Sequence, residues 1–127
     1  HPDSVRIILE EEQRAAFNHF WQFANKQTGM IHAGTNVNNK NLTTGGSGFG
    51  VMVTLTGIER GWITRKEGAM RILTLVRYLD KAERIKGVWS HWMNAEGQPV
   101  KFGKQIESGD LVETSFMMMG LYAFTIK

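Results

Sequence analysis

The feature that most constrains this chain is Thr64-Arg65-Lys66-Glu67, followed by apolar residues at helical spacing. The threonine hydroxyl and the glutamate carboxylate three positions on can each satisfy a backbone N–H that a helix start leaves without a partner. Ala69, Ile72, Leu73, Val76 and Leu79 then fall on one face, so the spacing predicts an amphipathic helix ending near Glu83.

The segments on either side are read by the same periodicity. In residues 9–26, Phe17, Phe20, Trp21 and Ala24 recur at three- and four-residue spacing, and Asn25 to Gly29 supply a stop. Residues 32–46 are rich in Asn, Thr and Gly and read as a long loop, a class that is usually functional or mobile. Residues 48–60 read two ways. Phe49, Val51, Val53 and Leu55 alternate as in a strand, while the continuous apolarity suits a buried helix with Gly61 just past its C-cap. Residues 87–103 contain Val88-Trp89-Ser90-His91-Trp92-Met93, a turn at Asn94-Ala95-Glu96-Gly97 and a possible return strand at Val100-Lys101-Phe102, which suits a short aromatic β-hairpin or an irregular loop. From 110 to about 124 the chain is again helix-like, with Val112, Ser115, Phe116, Met119 and Tyr122 on one face. The expected fold class is all-α, about four helices with an aromatic hairpin or loop between the last two.

Composition narrows the chemistry. A chain of 127 residues suits one domain, and 42% apolar with 21% charged residues is ordinary for a globular protein. The absence of cysteine excludes disulfides, thiol nucleophiles and cysteine-bound zinc. The four histidines (His1, His19, His32, His91) lack metal-ligand spacing, so neither a metal nor a cofactor is called for. The net charge of +3 is scattered. Its densest groups, Arg60/Arg65/Lys66 and Lys81/Arg84/Lys86, are interleaved with Glu59, Glu67, Asp80 and Glu83, as on solvated helix ends rather than a nucleic-acid stripe. No apolar run approaches the roughly 20 residues of a membrane-spanning helix, and His1-Pro2-Asp3-Ser4 does not open a signal peptide. Gly45–Gly50 lacks the Gly-Lys-Ser/Thr ending of a phosphate-binding loop; its glycines suit close entry into a buried helix. Met117-Met118-Met119 suits core filling.

Several blocks together resemble a known family. Phe20-Trp21 with Thr28-Gly29-Met30-Ile31, then Thr44-Gly45-Gly46-Ser47-Gly48-Phe49-Gly50 and Gly57-Ile58-Glu59-Arg60-Gly61-Trp62-Ile63, are similar to segments of the bacterial glucoamylase-like glycoside hydrolases. Leu75-Val76-Arg77-Tyr78-Leu79, Gly87-Val88-Trp89-Ser90-His91-Trp92 and Gly109-Asp110-Leu111-Val112-Glu113-Thr114 continue the match in order, the last resembling members related to endo-β-1,2-glucanases. Asn94 stands where relatives often carry an acid, and His32 and Ala33 depart from the usual loop. The resemblance implies part of an (α/α)6 toroid, with residues 48–60 helical. It also implies a β-glucan or oligosaccharide partner, β-1,2-linked glucans among them, and a secreted or periplasmic setting. Family domains are several times longer, so residues 1–127 are expected to form one incomplete, N-terminal part of such a domain. Such a piece is expected to be inactive alone, or to serve as a non-catalytic sugar-binding or interaction module. It is further expected to self-associate through the apolar helix faces it leaves uncovered.

Within that resemblance, Asp110 and Glu113 are the candidate catalytic carboxyls, with Glu107 nearby as a substrate contact. The same Asp-x-x-Glu at a helix start is also an ordinary capping pair, and spacing alone favours that reading. His91 is a candidate hydrogen-bond partner for sugar hydroxyls. Trp89 or Trp92 would stack on a pyranose, and Phe49 would face the cavity.

Overall fold

The computed structural model describes residues 1–34, 40–100 and 109–126. In chain order the elements are α1 (Pro2–Phe23), β1 (Ile31–His32), β2 (Leu42–Thr43), α2 (Thr44–Glu59), α3 (Arg65–Lys81), β3 (Trp92–Met93) and α4 (Leu111–Thr125). The four helices are those read from the sequence, and the ambiguous segment 48–60 is helical.

Two helices start earlier than the periodicity suggests. Pro2 at the first helical turn and a cap from the His1 side chain to the Asp3 N–H let α1 begin seven residues before Leu9. The glycines read as loop, Gly45 and Gly46, belong to α2, which begins directly from β2. Helix α2 ends as expected, with Gly61 at φ 71° donating to the Ile58 carbonyl. The box at α3 forms in full: Thr64 Oγ1 accepts from the Glu67 N–H, and the Thr64 N–H donates to Glu67 Oε2 at 2.7 Å.

Strands β1, β2 and β3 form a small antiparallel sheet in that order, with Leu42 opposite Met93 and Thr43 opposite Trp92. The aromatic segment therefore pairs with β2, inside the stretch read as a loop. Among the described residues its own return is the bridge of Met93 with Pro99, across a turn organised by Asn94 Oδ1, which accepts from the Glu96 and Gln98 N–H groups. The stretch Lys101–Phe102 of the expected return strand, and three of the loop asparagines (Asn36, Asn38, Asn39), lie outside the described residues. Ser47 fastens the sheet to α2, its hydroxyl donating to the Thr43 carbonyl and accepting from the Ile31 N–H.

The core joins α2, α3, α4 and the sheet through Met30, Leu42, Val51, Ile72, Leu75, Leu79, Trp89, Met93 and Met117. Helix α4 turns a different face inward from the one its large residues define. Thr114, Met117 and Gly120 are buried, whereas Val112, Met119 and Tyr122 are each more than 60% exposed. Only Met117 of the three consecutive methionines fills the core. The cause is a close crossing of α2 and α4. A Cβ on Gly48 would collide with the Phe116 backbone, and one on Gly120 with the Gly48 carbonyl, so the helices meet backbone to backbone. Small residues form that contact and push the large ones outward.

Across the molecule Tyr78 anchors the 94–98 turn, its hydroxyl donating to the Asn94 carbonyl at 2.6 Å. Burial, with the Glu96 charge behind it, holds this phenol well above the usual tyrosine range.

Gly120→Val should destabilise the fold by about 2 kcal/mol or more, because the opposing atoms are backbone and cannot yield. Met119→Ala, one position along on the exposed face, should stay within about 0.5 kcal/mol. Urea unfolding of both variants checks this. For Tyr78 the raised folded-state value means its contribution is complete below about pH 10, the ordinary tyrosine value, and is lost as pH rises beyond it. Tyr78→Phe should therefore show a shallower loss of stability than the parent chain between about pH 9 and about pH 11.

Candidate functional site

The N-termini of α2 and α4 converge on one stretch of backbone, Trp89 to Trp92, and both helices bind it. From α2, the Thr44 hydroxyl donates to the Ser90 carbonyl at 2.6 Å and the Thr44 N–H to the His91 carbonyl at 3.0 Å. From α4, the Asp110 N–H donates to the Trp89 carbonyl at 2.8 Å, and the Thr114 hydroxyl accepts from the Trp89 N–H at 3.0 Å. Thr44, Ser90 and Thr114 are all buried, so these bonds replace hydration those polar groups have lost. The result is a rigid seat for the side chains of residues 89–92.

On this seat His91 lies between the two candidate carboxyls. Its Nε2 is 2.6 Å from Glu113 Oε1 and its Nδ1 is 3.4 Å from Asp110 Oδ2. With the imidazole protonated, both contacts are ion pairs. The Glu113 side chain is 16% exposed against 30% for Asp110 and 39% for His91, so Glu113 is the most sheltered group of the three. The ring of His91 also lies flat on the Trp92 indole, with centroids 3.8 Å apart and planes at 17°.

The two readings of Asp-x-x-Glu separate here. Asp110 caps α4, its Oδ1 accepting from the Glu113 N–H at 3.0 Å, and keeps Oδ2 toward His91. Glu113 does not complete a box as Glu67 does. The Asp110 N–H that it would accept from is already bound to the Trp89 carbonyl. Its carboxylate is therefore available to His91, and it passes so close to the Cα of Gly45 that a Cβ there would overlap Oε2.

The other candidates are more dispersed. Trp89 is 8% exposed, sits in the core and donates its indole N–H to the Leu79 carbonyl at 3.3 Å. Trp92 is the indole nearer the surface, partly buried beside the charged cluster. Phe49 is half exposed and packs against Phe116, centroids 5.3 Å apart, one helical turn from Gly45. Glu107 lies outside the described residues. The sequence reading missed Thr44, Gly45 and Thr114. Thr114 carries a signal, since it lies four residues after the capping Asp110 and so on the same helix face; Gly45 carries none until the partner helix is placed.

No family model matches the chain. It is 39% identical, over 123 residues, to an exo β-1,2-glucooligosaccharide sophorohydrolase (non-reducing end) of Parabacteroides distasonis, covering 95% of this chain and 17% of that protein. The structure of an endo-β-1,2-glucanase from Chitinophaga pinensis, solved with sophorotriose and glucose, superposes with TM-score 0.77 at 45% identity over 95% of this chain and 30% of the other. A glucoamylase-like protein from Bacteroides fragilis superposes with TM-score 0.84 at 40% identity over 93% of this chain and 30% of its own. The chain thus spans about a sixth to a third of the length of these relatives.

Gly45→Ala should leave the helices intact at a cost of about 1–2 kcal/mol, because the atom displaced is a side-chain carboxylate rather than backbone. It should nonetheless break the Glu113–His91 contact. A crystal structure of the variant, with the carboxylate moved off Nε2, is the check.

Proposed function

Because this chain belongs to the bacterial glucoamylase-like glycoside hydrolases related to endo-β-1,2-glucanases, its helices forming part of their (α/α)6 fold, we propose that it supplies one wall of a β-1,2-glucan-binding active site. The observation that carries this reading is the Asp110–His91–Glu113 cluster on the Trp92 indole, held where two helix N-termini meet. Glycoside hydrolysis needs an acid on one side of the scissile bond and a nucleophile or base on the other, roughly 5 to 9.5 Å apart with sugar or water between. Between Asp110 and Glu113 stands the imidazole of His91 instead. With His91 filling the space between them, Asp110 and Glu113 are read as one side of the site, facing a further carboxyl across the sugar.

In this proposal Trp92 offers an aromatic surface to a pyranose face, and Asp110 and Glu113 meet the hydroxyls and the reacting oxygen. Residues 1–127 form a single incomplete domain that binds β-1,2-linked oligosaccharide without hydrolysing it. The exposed apolar side chains of α4, among them Val112, Met118 and Met119, support self-association.

The test is a panel of β-glucans, linear β-1,2-glucan included, assayed for binding and for new reducing ends with the folded 127-residue chain. The expected outcome is binding of the β-1,2-linked members, weakened about tenfold by Trp92→Ala, with no hydrolysis and a mass in light scattering of a dimer or more. Hydrolysis abolished by Glu113→Gln would show that copies complete the site between them. Indifference of the folded chain to every glucan would reject the reading.

A further inference from the structure

We infer that His91 is a positioning residue: it does not itself bind sugar but fixes the orientation of Glu113. This rests on the proposed sugar site and assigns His91 a different part in it from a direct hydroxyl contact. Both ring nitrogens face protein carboxylates, Nε2 at 2.6 Å from Glu113 and Nδ1 at 3.4 Å from Asp110. One ring face is covered by Trp92. The backbone on either side is held by Thr44 and by the Trp89 bonds to α4. The imidazole thus has little freedom to turn a nitrogen toward a ligand.

Glu113, by contrast, needs an external hold. A glutamate at the third position of a helix ordinarily folds back on the N-cap N–H, as Glu67 does in α3. At α4 that N–H is bound to the Trp89 carbonyl, and the missing Cβ of Gly45 leaves just the room that the Glu113 carboxylate occupies. His91 is the side chain that bonds the carboxylate in place of the N-cap N–H. The short Nε2–Oε1 contact selects one rotamer and places the second oxygen, Oε2, over Gly45.

A double-mutant cycle for binding of a β-1,2-linked glucotriose separates positioning from contact. Glu113→Gln and His91→Phe, which keeps the stack on Trp92 but has no ring nitrogen, should each weaken binding about tenfold; the double variant should be no weaker than either single one. His91→Gln, whose amide can still donate to Glu113, should recover most of the affinity. Losses that multiply to about a hundredfold in the double variant would mean that His91 contacts the sugar directly, and would overturn the inference. Full affinity in both Glu113→Gln and Trp92→Ala would instead remove the sugar site itself. Where the folded chain binds no glucan, the imidazole NMR spectrum decides. A slowly exchanging His91 Nε2–H lost in Glu113→Gln upholds the positioning role, and one unchanged by that substitution overturns it.

Discussion

The backbone contact between α2 and α4 is the constraint on which the rest of the structure depends. Gly48 and Gly120 let two helices approach more closely than any side chain would allow. That proximity puts the first turn of α2 beside the first turn of α4, and so puts Gly45 against Glu113. Close helix packing usually serves the core; here it also sets the distance between the two ends that hold the site. The same crossing turns Val112, Met119 and Tyr122 outward, so the surface of α4 is as much its product as the interior.

The second level is the strap at residues 89–92. Its carbonyls and amides are shared among Thr44, Asp110 and Thr114, which makes it a common edge of both helix starts. Thr44, Ser90 and Thr114 are buried and their polar groups paired, which gives a stiff element. Each charged or aromatic group above it has its geometry set by this seat: Asp110 by capping, Trp92 by pairing in β3 with Thr43, and His91 by lying between them.

Much of this was legible in the sequence, for identifiable reasons. The helix at Arg65–Lys81 follows from a local capping box and a regular stripe, and needs no tertiary information. The candidate pair Asp110 and Glu113 was visible as spacing. Its division of labour was not, because that depends on the Trp89 carbonyl, supplied from a distant upstream segment and fixed only by the fold. The large residues of α4 do not mark its inward face, because apolar size is a guide to burial only where the partner leaves room for side chains. The aromatic segment reads as a possible hairpin strand, but β1 and β2 escape notice because two-residue strands carry no alternation to detect. Similarly, Trp89 and Trp92 look alike in sequence; what distinguishes them is which one finds the Leu79 carbonyl.

The glycine crossing also bears on how the site comes into being. Gly45, His91 and Glu113 belong to three segments far apart along the chain, and no neighbouring stretch can bring any two of them together alone. Helix α3 can nucleate locally; the cluster cannot, since it requires contacts between residues far apart in sequence, Gly45 with Glu113 and Gly48 with Gly120 among them. Loss of the Gly48–Gly120 contact would part the first turns of α2 and α4, and with them Gly45 and Glu113, while α3 keeps its own capping box.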